Sequence, residues 1–175
     1  KTWALLAESL RHTSVGNFGG SIFRRTSPQI TNEGGLWDKS MELFPLFGGQ
    51  PTESRLRWKF PSGAKMKFSH LEHEKNKLDH QGTEYAFIGF DELTHFTQSQ
   101  FFYLLSRNRS MSGVRPYVRA TTNPQAYGWV KELVSWWLYA DDYHDTKLQG
   151  FPIPEKIGKV RYFVRSNNRL YWGDS

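Results

Sequence analysis

Apolar and polar positions along this chain follow two rhythms, one of about 3.6 residues and one of about 2. The first holds from Trp3 to His12, where Trp3, Leu6, Ala7 and Leu10 share a face, and predicts a helix. GNFGG at 16–20 reads as a turn, and Ser21-Ile22-Phe23-Arg24 as a short strand. A second helix is predicted over Asn32–Phe44, with Leu36, Trp37, Met41 and Phe44 on one stripe and Pro45, Gly48, Gly49 and Pro51 closing it. Arg55–Ser69 alternates in type on both sides of Pro61-Ser62-Gly63, as a hairpin does. Glu72–His80 is polar, a loop or short helix; Glu84–Phe90 is an apolar strand. Gln98–Arg109 returns to helical spacing with Phe102, Leu105 and Arg109 along one side. Gly113 breaks it, and Pro116–Thr121 reads as a strand. A Trp-rich helix over Gly128–Tyr139, a loop with Pro152 and Pro154, and a second hairpin over Lys159–Trp172 turning at Asn167-Asn168 complete the pattern.

Strand and helix alternate through most of the chain. This predicts an α/β layered domain with a mainly parallel central sheet flanked by helices, to which the two hairpins are inserted additions. Ligands of such sheets bind beyond the C-terminal ends of the strands. The 175 residues suffice for one domain with a real core. No apolar run approaches the roughly 20 residues that span a bilayer, and the N-terminus lacks the apolar core and cleavage site of a signal peptide. The chain has no cysteine, which excludes disulfides and thiolate metal sites. Its 23 Lys and Arg against 17 acids give a net charge of +6, which suits a polyanionic partner.

Candidate chemistry gathers at strand ends. In YAFIGFDELTHF an apolar strand stops at Asp91 and Glu92. Two adjacent carboxylates there fit a solvated turn. They also fit a division of labour in which the first holds a hydrated Mg²⁺ and the second polarises a water for attack on a γ-phosphate. Lys1-Thr2 opens directly into a helix and matches the last two letters of G-x-x-x-x-G-K-[ST], where the Lys neutralises phosphate charge and the hydroxyl binds Mg²⁺. Arg119-Ala120-Thr121-Thr122-Asn123-Pro124 ends another strand in hydroxyls and an amide, suited either to sensing a γ-phosphate or to an ordinary Asn-Pro turn. HLEHEKNKLDH, with His70, His73 and His80, fits an exposed connector or a metal site. Arg55, Arg57, Lys59, Lys65 and Lys67 interleave with Trp58, Phe60 and Phe68 on the first hairpin. That arrangement fits a DNA-tracking surface or a hairpin with one core face and one solvated face.

Taken in order, Lys1-Thr2, Arg24-Arg25, Asp91-Glu92 and Thr121-Thr122-Asn123 resemble the ATPase domain of the large terminase subunit of tailed bacteriophages, the DNA-packaging motor. The resemblance runs along nearly the whole chain and is carried by SIFRRTSPQI, HQGTEYAFIGFDELTHFT, QFFYLLSRNRS and VRATTNP. It implies a P-loop NTPase fold of the RecA/ASCE-like type. It implies that Lys1 and Thr2 bind phosphates and Mg²⁺, that Asp91 holds Mg²⁺ through water, and that Glu92 activates the hydrolytic water. Thr121, Thr122 and Asn123 resemble the motif that couples hydrolysis to DNA movement, and Arg24 and Arg25 the arginines after the second strand, near the nucleotide. A basic surface at a strand edge is the other reading of those two arginines.

The cofactors implied are ATP and Mg²⁺; the partners are double-stranded DNA, a small terminase subunit and a portal protein. The implied setting is a homo-oligomeric ring in the cytoplasm of the bacterial host, with no membrane. The glycine half of Walker A and the strand before it are absent, so residues 1–175 are expected to be a fragment of the ATPase domain. The family's nuclease domain is expected to be missing as well. Gln81-Gly82 stands where many members carry an Arg before the Walker B strand, leaving that role to Arg107, Arg109, Arg115 or the cis arginines. A helicase-like P-loop ATPase and a degenerate P-loop module that binds DNA or partner proteins are the competing readings.

Overall fold

Ile22, Phe23, Phe87, Ile88 and Phe90 are wholly buried because they lie on two adjacent interior strands of one sheet, covered on both faces. The computed structural model describes residues 1–174. Contacts divide the chain into a first unit, Lys1–Pro124, and a second that begins at Gln125.

In the first unit the elements follow as α1 (Thr2–Ser9), β1 (Gly19–Arg24), α2 (Pro28–Thr31), α3 (Leu36–Leu43), β2 (Gln50–Thr52), β3 (Arg57–Lys59), β4 (Lys65–His70), β5 (Phe87–Phe90), α4 (Gln98–Leu105) and β6 (Tyr117–Ala120). The sheet order is β2-β3-β4-β1-β5-β6. Strands β4, β1, β5 and β6 run parallel, whereas β2 and β3 pair antiparallel. The sheet is therefore mixed, and the first hairpin is not an addition to it. Its second strand, β4, lies beside β1 over six residue pairs from Gly19↔Lys65 to Arg24↔His70. Beyond the hairpin, β2 forms an edge that the sequence pattern does not announce. Its Pro51 has no N–H to donate, which an edge strand tolerates.

Local chemistry sets several boundaries. Gly20 belongs to β1, not to a turn, and faces Phe87 on β5; a Cβ there would come within 2.9 Å of the Phe87 carbonyl oxygen. The helix predicted from Asn32 starts at Leu36, because Gly34 takes φ +70° and ends the preceding turn. On α1 the buried residues are Leu5, Leu6 and Ser9, while Trp3 stays 44% exposed, so the core stripe is rotated from the one predicted. A capping box fixes the start of α4: Gln100 N–H donates to Thr97 Oγ1, and Thr97 N–H donates to Gln100 Oε1, both at 3.1 Å. Trp37, Phe44, Trp58, Phe60 and Phe68 pack as an aromatic cluster, and the Trp58 indole N–H donates to Ser40 Oγ at 3.0 Å.

The second unit holds α5 (Trp129–Val134) and the antiparallel pair β7 (Arg161–Ser166) and β8 (Arg169–Asp174), turning at Asn167-Asn168 as predicted. The Arg161 guanidinium lies over the rings of Trp136 and Trp172, at 4.7 and 5.1 Å from their centroids. Asp141 accepts from Lys131 at 2.7 Å. Among the described residues no helix is long and apolar enough to cross a membrane.

Candidate functional site

The parallel run β1-β5-β6 brings the C-terminal ends of three strands to one edge of the sheet. There the Asp91 N–H donates to the Phe23 carbonyl at 3.0 Å, and the Thr121 N–H to the Phe90 carbonyl at 2.9 Å. These bonds continue the ladders past the ends of β5 and β6. Strand β5 is buried at all four positions, so the residue that follows it emerges inside the protein. Asp91 is 0% exposed.

A carboxylate so placed is stable only with partners, and both of its oxygens have them. Oδ1 accepts from Thr121 Oγ1 at 2.6 Å. Oδ2 accepts from Thr2 Oγ1 at 3.1 Å and lies 2.7 Å from Arg24 Nη2. Residues from the start of α1 and from the ends of β1, β5 and β6 thus meet on one acid. The solvated-turn reading of Asp91 is overturned.

Glu92 is half-buried and takes φ +62°, a left-handed conformation that is strained for a side chain of its kind. Its N–H donates to Thr121 Oγ1 at 3.3 Å, so one hydroxyl ties both acidic residues to the end of β6. The Lys1 ammonium donates to the Thr122 carbonyl at 2.8 Å and to Asn123 Oδ1. The amide nitrogen of Asn123 stands 3.5 Å from Glu92 Oε2, a long contact. Thr122 Oγ1 bonds Thr94 Oγ1 at 3.1 Å.

The two arginines part company. Arg24 joins the acid, and its Nε is buried with no partner. Arg25 donates instead to the Leu71 carbonyl at 2.9 Å and to Gln100 Oε1 at 3.0 Å, in a separate network that ties the loop after β4 to the start of α4. Of the other arginines considered, Arg109 pairs with Glu84 at 3.1 Å and Arg107 lies over the Tyr103 ring.

Two contributors escaped the sequence reading. Thr94 was signalled only by its hydroxyl within DELT. Gln100, wholly buried, was signalled by the T-x-x-Q spacing of a capping box. The histidines do not gather: His80 is buried against Phe23 and accepts or donates at 2.7 Å with the Tyr85 hydroxyl. Among the described residues no three His, Asp or Glu side chains converge to hold a metal.

Mg²⁺ does not require such a cage, since it keeps several waters and takes only one or two carboxylates. Thr2 Oγ1 and Asp91 Oδ2 are hard oxygens 3.1 Å apart. The donor chemistry therefore fits the ion.

Fold and site together define an α/β protein with an acidic, hydroxyl-lined site at the C-terminal ends of its parallel strands. A family model described as terminase large subunit, T4likevirus-type, N-terminal, matches residues 1–170, and the chain belongs to that family. Membership implies a role in phage DNA packaging. A search of curated proteins found no match.

Proposed function

We infer that this chain is the ATP-hydrolysing part of a DNA-packaging motor, built on a P-loop NTPase fold. One observation carries the reading: Thr2, Arg24 and Thr121 converge on the buried Asp91, with Glu92 next in the chain. Bound Mg²⁺-ATP supplies the phosphoanhydride to be cleaved and the cation that offsets its charge. Thr2 Oγ1 and Asp91 would hold the ion. The Lys1 ammonium, now on neutral acceptors, gains by exchanging them for anionic phosphate oxygens. Glu92 takes the proton of the attacking water, as a general base. Arg24 offers an unfilled buried donor beside the site. Asn123, bonded to Lys1 and 3.5 Å from Glu92, would relay loss of the terminal phosphate to the segment after β6. In this reading the intact protein works as a ring on double-stranded DNA, with a small terminase subunit and a portal protein, in the host cytoplasm.

The test is Glu92→Gln in the intact protein, with DNA-stimulated ATP turnover as the readout. Loss of a general base lowers the rate by about 10²–10⁴-fold. An unchanged rate would remove Glu92 from the chemistry and the reading with it.

A further inference from the structure

The first hairpin carries charge that the nucleotide site does not use. In β3 and β4 alternate residues face opposite ways. Trp58, Met66 and Phe68 are buried in the aromatic core, which leaves Arg57, Lys59, Lys65 and Lys67 on the other face. The register sets Arg57 opposite Lys67 and Lys59 opposite Lys65. Like charges directly across a strand pair repel and destabilise the sheet. Here two such pairs lie side by side. Among the described residues none of these four, nor Arg55 just before them, makes an ion pair or a side-chain hydrogen bond. Lys59, Lys65, Lys67 and Arg55 are exposed, and Arg57 is half-buried.

A cavity of about 460 Å³ borders the same face, lined in part by Arg55, Arg57, Lys67 and His70, with Asp79 as an acidic member. The positive field reaches inward: after burial, Lys67 is the next cause that holds the His80 imidazole down to about 4. A solvated face of no function gains nothing from concentrating repulsion in this way. A polyanion relieves it.

We propose that the face formed by Arg57, Lys59, Lys65 and Lys67 binds the sugar-phosphate backbone of duplex DNA. The occupant follows from what the face offers. It presents long, unpaired cations and no exposed aromatic ring, because Trp58, Phe60 and Phe68 are all within 2% of full burial. Base stacking is therefore unavailable, and phosphate contact is what long, unpaired cations on a strand face offer. Binding of this kind is independent of sequence and strongly dependent on salt. The assignment rests on the DNA-packaging reading only for the choice of duplex DNA among polyanions.

The experiment uses the intact protein, a short labelled duplex of mixed sequence and a second of unrelated sequence. Dissociation constants are measured by fluorescence anisotropy across a salt titration. The Lys59→Gln/Lys65→Gln/Lys67→Gln variant should bind both duplexes more weakly and lower the salt slope by about 2.7, about 0.9 for each phosphate no longer neutralised. Lys67→Gln alone should lower it by about 0.9, and Lys67→Arg should leave it unchanged. Thermal melting should show both Gln variants at least as stable as the parent, since repulsion is removed. Basal ATP turnover without DNA should be retained while its stimulation by DNA falls; in Glu92→Gln the reverse holds, with DNA binding kept and turnover abolished. Unchanged affinity and slope, weakening confined to one duplex, or no duplex binding by the unsubstituted protein would each overturn the assignment.

Discussion

Replacing Asp91 tests the geometry of the site without any nucleotide. At 2.7 Å and an effective dielectric constant of about 20, the attraction between Asp91 and Arg24 is about 6 kcal/mol gross. Most of this is offset by the desolvation of a carboxylate that is 0% exposed. The net worth of the pair is thus small, but the cost of breaking it from one side is not. Asp91→Asn removes the negative charge and leaves the guanidinium without an anionic partner. Removing one partner of a buried pair costs about 3–5 kcal/mol. The lower end, about 3, applies here because the Arg24 side chain keeps 18% of its exposure. Arg24→Met alone strands the carboxylate on its two hydroxyl donors and costs a similar amount. The double variant removes both charges, so its cost falls short of the sum by at least about 2 kcal/mol. Urea unfolding of the parent, both single variants and the double variant yields the coupling directly. Costs that add to within about 0.5 kcal/mol would mean the two residues do not interact, and the site as described would be wrong.

The remaining predictions concern neighbouring features. Glu92→Gly relieves the left-handed strain at φ +62° and should stabilise the fold by about 1 kcal/mol in urea unfolding while abolishing ATP turnover; a loss of stability would refute the strain. Burial, and then Lys67, hold His80 down to about 4, against about 6.5 in the unfolded chain. The unfolded state therefore binds the extra proton between those values, and stability falls as pH drops from about 6.5 to about 4, by about 2 kcal/mol after partial screening. His80→Asn should flatten the unfolding midpoint over that window, and an unaltered pH dependence would count against it.

The sequence by itself determined most of the strands and helices, though not β2, and which strand ends carry chemistry. Alternation and helical spacing are local, and burial follows them: the apolar run before Asp91 had to become an interior strand, and the turn at Asn167-Asn168 had to join β7 to β8. The order of motifs also pointed to the right family. Tertiary structure decided what the periodicities leave open. Trp3 and Leu5 both suit a helix, and only the packing of α1 beside α3 and β5 chose Leu5 for the core. The hairpin was legible as a hairpin, but its place in the sheet depended on β4 finding β1, a pairing across 46 residues that no local pattern encodes. Arg24 and Arg25 are adjacent letters with the same charge. Arg24, at the end of β1, reaches the acid just past the end of β5, while Arg25, one residue past its own strand, meets Leu71 and Gln100. Successive side chains leave an extended chain on opposite sides, so neighbours in sequence become members of different networks. The carboxylate pair was readable as a candidate; that Asp91 is buried and held by Thr2, Arg24 and Thr121 came from the strand order, which alone brings those ends together.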